Sequence, residues 1–183
     1  RLSEGNFKKI KSVVMVQCAG ARGDGVDYCG KVCCQQALKN AIWIKEVSPE
    51  TDVYILYQDM RSCGFYEKYY LQARKLGVRF IRYPGSERPK VSVEKGKPVV
   101  RVKDTLLNEE LELRPSLVVL SVPPKASEDK TIANILKLPT TDSGFFLEAH
   151  VKLKPVETAT DGVYLAGLAH SPQPLSEVIA QAK

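Results

Sequence analysis

Between Ser12 and Tyr83 the chain alternates between two hydrophobic periods, and this limits the folds open to it more than any other feature. Ser12–Gln17 (SVVMVQ) is a β-branched apolar run and reads as a buried strand. From Val32 a helical pattern begins. Val32, Leu38, Ile42 and the Ala37/Ala41 pair share one face, and Ser48-Pro49 ends the helix near Val47. Asp52–Tyr57 (DVYILY) returns to strand composition. Phe65–Leu76 reads as a helix closed by Gly77, and Val78–Tyr83 (VRFIRY) as a third strand. Strands joined by helical crossovers pair in parallel, so the predicted class is α/β.

The predicted architecture is Rossmann-like, a three-layer, doubly wound parallel sheet with a β-hairpin extension. The extension comes from Lys90–Glu94, Pro98–Asp104 and Glu109–Leu113, which read as antiparallel strands joined by EKGK and TLLNEE. Ser116–Ser121 is a further buried strand, stopped by Pro123-Pro124. Thr131–Leu136 reads as a short helix, His150–Leu153 and Val163–Ala166 as short strands, and Leu175–Ala182 as a last helix. The first residue is Arg1, not Met, and the last helical pattern is cut at Lys183, as expected of a piece of a longer polypeptide.

Composition excludes several classes. The 183 residues are 44% hydrophobic and 26% charged, as in soluble globular proteins. No apolar run nears the roughly 18–20 residues of a membrane helix, and Val13–Val16 is too short for a secretory signal. Net charge is +6, but the basic residues form no stripe and no aromatic RNA-binding signature accompanies them, so nucleic acid is not an expected partner.

Five cysteines without a secretory signal point to metal or redox chemistry rather than a disulfide framework. Four of them follow the pattern Cys18-x10-Cys29-x3-Cys33-Cys34, between the first strand and the first helix. A dinucleotide-binding fold carries G-x-G-x-x-G at that junction. Here it reads QCAGARGDG, with the wrong glycine spacing, in a loop longer than the usual two to six residues. The nucleotide turn is replaced by a sulfur-rich one. Four thiolates complete either a tetrahedral zinc site or one 4Fe-4S cube. Zinc favours paired C-x2-C knuckles, whereas adjacent Cys33-Cys34 suit two corners of a larger cube. Helix N-terminal amides stabilise an anionic assembly of either kind. Spacing alone leaves zinc, a cluster and plain thiol roles open. Cys63 reads as a small, partly buried residue.

Three stretches resemble the A subunit of the heterodisulfide reductases and related quinone-interacting oxidoreductase subunits. They are VMVQCAGARGDGVDYCGKVCCQQALKNA, VYILYQDMRSCGFYEKYYLQARKLGVRFIRY and GFFLEAHVKLKPVETATDGVYLAGLAHSPQPLSEVIAQA. That family comprises flavin and iron–sulfur electron-transfer proteins of methanogens, sulfate reducers and related anaerobes. The resemblance implies a thioredoxin-reductase-like core in which a second Rossmann unit splits an FAD domain. In this family the second unit carries the cysteine motif in place of an NAD(P)H site. Residues 1–115 would be that inserted unit, and 116–183 the C-terminal return of the FAD domain. The other half of the FAD pocket lies outside the sequence. The segment alone is therefore expected to be inactive and to bind FAD poorly.

By motif match the 4Fe-4S ligands fall on Cys18, Cys29, Cys33 and Cys34. Gly167 matches the turn that in reductases continues with Asp. Here Leu168-Ala169-His170 replaces that acid, which implies FAD contacts from the backbone of Leu168, Ala169, His170 and Ser171. Lys152, on a return strand toward the flavin, is a further FAD-binding candidate. Lys39, about one and a half turns after Cys34, is the candidate catalytic group, stabilising reduced flavin and moving a proton near N5. Pro123 stands where relatives usually carry a glycine against the FAD. The implied partners are other subunits of a heterodisulfide reductase-like or quinone-interacting complex, together with ferredoxin-type carriers. The implied location is cytoplasmic, or peripheral on a membrane complex. Two competing readings are a zinc-binding or thiol-based interaction module on a Rossmann scaffold, and an NAD(P)H-binding reductase unit, which the missing G-x-G-x-x-G disfavours.

Overall fold

The computed structural model describes residues 10–183. Its strands are β1 (Ser12–Val16), β2 (Asp52–Tyr57), β3 (Arg79–Arg82), β4 (Lys90–Glu94), β5 (Lys97–Asp104), β6 (Glu109–Leu113) and β7 (Leu117–Leu120). Its helices are α1 (Cys33–Val47), α2 (Glu67–Lys75), α3 (Thr131–Leu136) and α4 (Leu175–Ala182). The described chain forms two units, one of residues 10–20 with Cys33–Val122, the other of Ala21–Val32 with Pro123–Lys183.

In the first unit, β3-β2-β1-β7 form an all-parallel sheet, with Val13 opposite both Val53 and Leu117. Strand side chains alternate between faces, so this register sorts the apolar residues into two cores. Val13, Met15, Val53 and Ile55 pack with Leu38, Ala41 and Ile42 of α1 and Ala73 of α2. Val14, Val16, Leu56 and Ile81 pack on the other side with Val100 and Val102 of β5. Each fully buried Leu or Ile contributes on the order of 1.5–3 kcal/mol.

The α/β class and the parallel sheet follow the sequence pattern, but the double winding does not. Two right-handed crossovers that step in one direction along a sheet put both helices on the same side. The opposite face is covered by the antiparallel sheet β4-β5-β6, which the sequence suggested was only an extension. Its β4–β5 hairpin turns at Lys95 and Gly96, both at positive φ (51° and 75°), the backbone that matches strand twist in a two-residue turn. The strand expected at Ser116–Ser121 forms as β7 and pairs with β1.

In the second unit the strands predicted at His150–Leu153 and Val163–Ala166 are absent. Only isolated bridges occur, His150 with Lys154 and Glu157 with Tyr164. The imidazole of His150 is the cause of the first departure. Its Nδ1 accepts from the amides of Lys152 and Leu153, both at 3.2 Å, and closes residues 150–154 into a turn. Thr158 also competes further on: its Oγ1 accepts from the Thr160 amide at 3.2 Å, and its one proton is within reach of the carbonyls of Thr160 (2.9 Å) and Val163 (3.1 Å). Helices α3 and α4 form as predicted. Among the described residues no helix is long and apolar enough to cross a membrane.

Candidate functional site

The end of β1 is fixed from three sides before the cysteine loop begins. The amide of Gln17 donates to the Leu56 carbonyl at 2.9 Å, its carbonyl accepts from Tyr83 Oη at 2.6 Å, and its side-chain Nε2 donates to Ser121 Oγ at 2.9 Å. Cys18 follows in the left-handed region, at φ 60°. That torsion costs a non-glycine residue about 1–2 kcal/mol and is held where the surroundings enforce it. Cys18 is buried, and its carbonyl accepts from Arg88 Nη1 at 3.0 Å. Cys33 and Cys34 open α1, whose first turn contains no acidic residue, so both lie at the positive end of the helix dipole. The Cys34 thiol is buried and donates weakly to the Asp59 carbonyl at 3.8 Å. Lys39 is exposed on α1.

In the second unit the loop of residues 21–32 is fastened by Tyr28. Its hydroxyl donates to the Pro124 carbonyl at 3.0 Å, and its ring meets Phe145 edge-on at 5.3 Å. Burial pushes the Tyr28 hydroxyl above its ordinary pKa. Cys29 Sγ accepts from the Lys31 amide at 3.3 Å. None of the five cysteines is joined in a disulfide, and Cys63 is exposed where the sequence suggested partial burial. Among the described residues, no three His, Cys, Asp or Glu side chains converge on a position that could hold a metal ion. The donor chemistry of Cys18, Cys29, Cys33 and Cys34 suits an all-thiolate centre, in which Cys33 and Cys34 are consecutive residues at the start of α1.

The second candidate cluster is built on a short 3-10 turn, Gly167–Ala169, ahead of α4. Gly167 has φ 63°, and a Cβ there would lie 3.0 Å from Val178 Cγ1, so the position requires glycine. Its carbonyl accepts from the amides of His170 (3.0 Å) and Ser171 (3.1 Å), so both those donors are used inside the turn. Leu168 and Ala169 line a cleft of about 410 Å³ with Phe145, Phe146, Lys125 and Lys130. The lining is mixed, with Asp129, Ser127 and Thr140 beside the apolar side chains and the two lysines. His170 Nε2 lies 2.8 Å from Glu148 Oε2. The Glu148 carboxyl is held below the usual carboxylate range, first by its own backbone amide and then by His170. Lys152 is exposed at the tip of the His150 turn rather than on a strand. Sequence reasoning missed Glu148 and Gln181, because neither belongs to a local motif: they meet His170 across 22 and 11 residues.

No family model matches the chain. It is 44% identical over 178 residues to the A subunit of the ferredoxin:CoB-CoM heterodisulfide reductase of Methanosarcina acetivorans, covering 94% of this chain and 22% of that protein. It is likewise 44% identical over 180 residues to the iron-sulfur A subunit of the CoB–CoM heterodisulfide reductase of Methanocaldococcus jannaschii, covering 93% and 27%. The chain is homologous to a segment of the heterodisulfide reductase A subunit. It spans about a quarter of the length of the heterodisulfide reductase relatives it matches. Among solved structures it resembles the thioredoxin reductase of T. acidophilum, with a TM-score of 0.61 at 16% identity over 93% of this chain and 49% of that one. Thioredoxin reductase of Lactococcus lactis gives a TM-score of 0.57 at 13% identity, over 93% and 48%. The fold of this heterodisulfide reductase-like segment is therefore thioredoxin-reductase-like.

Proposed function

We propose that the chain is the cysteine-bearing, electron-transferring segment of a larger flavin-dependent oxidoreductase of the heterodisulfide reductase type. Cys18, Cys29, Cys33 and Cys34 hold a 4Fe-4S cluster, and the Gly167–Ser171 turn with its cleft forms one wall of an FAD site. The observation that carries this reading is the junction after β1. A parallel sheet of this kind binds its ligand beyond the carboxyl ends of its strands, next to a helix N-terminus. At that place the chain has cysteines, one in a strained left-handed conformation, instead of a glycine fingerprint.

When bound, the cluster supplies one-electron transfer and FAD supplies electron-pair chemistry. The chain's own residues provide the setting. The amides of the first turn of α1 favour the negative charge of thiolates. Lys39 and Lys152 supply exposed positive charge, Lys39 on the helix that begins with Cys33 and Cys34. Following the names of the relatives, the parent reduces a CoB–CoM heterodisulfide, with other reductase subunits and ferredoxin-type carriers as partners.

The test is anaerobic reconstitution of the 183-residue chain with iron and sulfide, for wild type and Cys33→Ser. Wild type should bind about four iron and four sulfide, turn brown and give an EPR signal on reduction. Cys33→Ser should lose most of that iron. A colourless wild-type protein carrying a single zinc would overturn the cluster reading in favour of the interaction module.

A further inference from the structure

The proton on His170 can be located from one obligate donor. The Gly167 amide can only donate, and it points at Gln181 Oε1 at 2.9 Å. That contact fixes the orientation of the Gln181 amide and turns its Nε2 toward His170 Nδ1, at 3.2 Å. An NH2 group cannot accept, so Nδ1 must be the acceptor and carries no proton. The ring proton then sits on Nε2 and is donated to Glu148 at 2.8 Å. Gln173 Nε2 donates to Ser171 Oγ at 3.0 Å and lies 3.4 Å from Nδ1, whose one lone pair takes the Gln181 contact.

We infer that Gln181, on the last turn of α4, is a positioning residue that fixes His170 as the neutral Nε2–H tautomer and braces the Gly167–Ser171 turn. Both imidazole nitrogens are then spent inside the unit. The turn presents Leu168 and Ala169 to the cleft, not the histidine. This assigns His170 a structural bracket role in place of direct cofactor contact. The inference rests on the flavin reading only for what occupies the cleft.

The groups that face the ring decide the test. Glu148 supplies the one carboxylate at hydrogen-bond distance among the described residues, with His150 acting on that same carboxylate. Gln181, Gln173 and Ser171 are neutral. In the 15N-labelled chain, nitrogen–proton correlation spectra at neutral pH should show a protonated Nε2 and an unprotonated Nδ1 for His170. Gln181→Glu keeps an acceptor for the Gly167 amide but sets a second carboxylate against Nδ1. It should shift Nδ1 to the protonated position, giving an imidazolium. A wild-type Nδ1–H tautomer, or averaged shifts from both, overturns the inference, as does a folded Gln181→Glu variant with unprotonated Nδ1. Should that variant fail to fold, the wild-type spectrum decides alone. Neither cluster nor flavin enters the measurement, so failure of the proposed function would leave this result standing.

Discussion

At the residue scale, chemistry-bearing side chains are held by partners distant in sequence. Cys18 keeps a left-handed backbone because Gln17 is pinned by β2, Tyr83 and Ser121, and because Arg88 holds the Cys18 carbonyl. The cysteine spacing was readable from the chain, whereas this torsion was not, since nothing local to Cys18 favours it. Glu148 is a second case. Its folded-state pKa is lowered by its own amide and by His170, so the charged form is favoured in the folded protein. The stability it contributes is fully present above the ordinary carboxylate range and is lost as pH falls through the lowered folded value. Urea midpoints measured from neutral into acid pH should therefore decline less steeply in Glu148→Gln than in wild type. Equal slopes would show that Glu148 does not couple to folding.

At the element scale, strands and helices with a clear period formed where the pattern put them, including α1, β2, α3 and α4. The exceptions were short segments in which a side chain competes for backbone hydrogen bonds. His150 captures two amides that a strand would have used, and Thr158 Oγ1 captures the Thr160 amide. The 3-10 turn and α4 behave as one piece because Gly167 sits against Val178. Gly167→Ala should cost about 1–3 kcal/mol, part from the left-handed torsion and part from crowding. Adding Val178→Ala should recover the crowding part and leave about 1 kcal/mol. Chemical denaturation of the two single variants and the double variant measures this coupling, and simple additivity would refute it.

At the scale of the whole molecule, the first unit has two cores separated by one sheet. Leu38→Ala empties the helical side and Leu56→Ala the side under β5, both at almost fully buried positions. Each should cost about 2–5 kcal/mol. Because the two belong to different cores, the double variant should equal their sum within about 0.5 kcal/mol, as read from guanidinium unfolding. The alternation of periods by itself determined the parallel sheet and its crossovers, because helix and strand periodicities are local properties of the chain. Cysteine spacing likewise marked the thiol-rich junction. Only the tertiary structure decided that both crossover helices cover one face, that the antiparallel sheet covers the other, and that His170 is enclosed by Glu148 and Gln181. Those outcomes depend on which distant side chains meet, and no window of neighbouring residues contains that information.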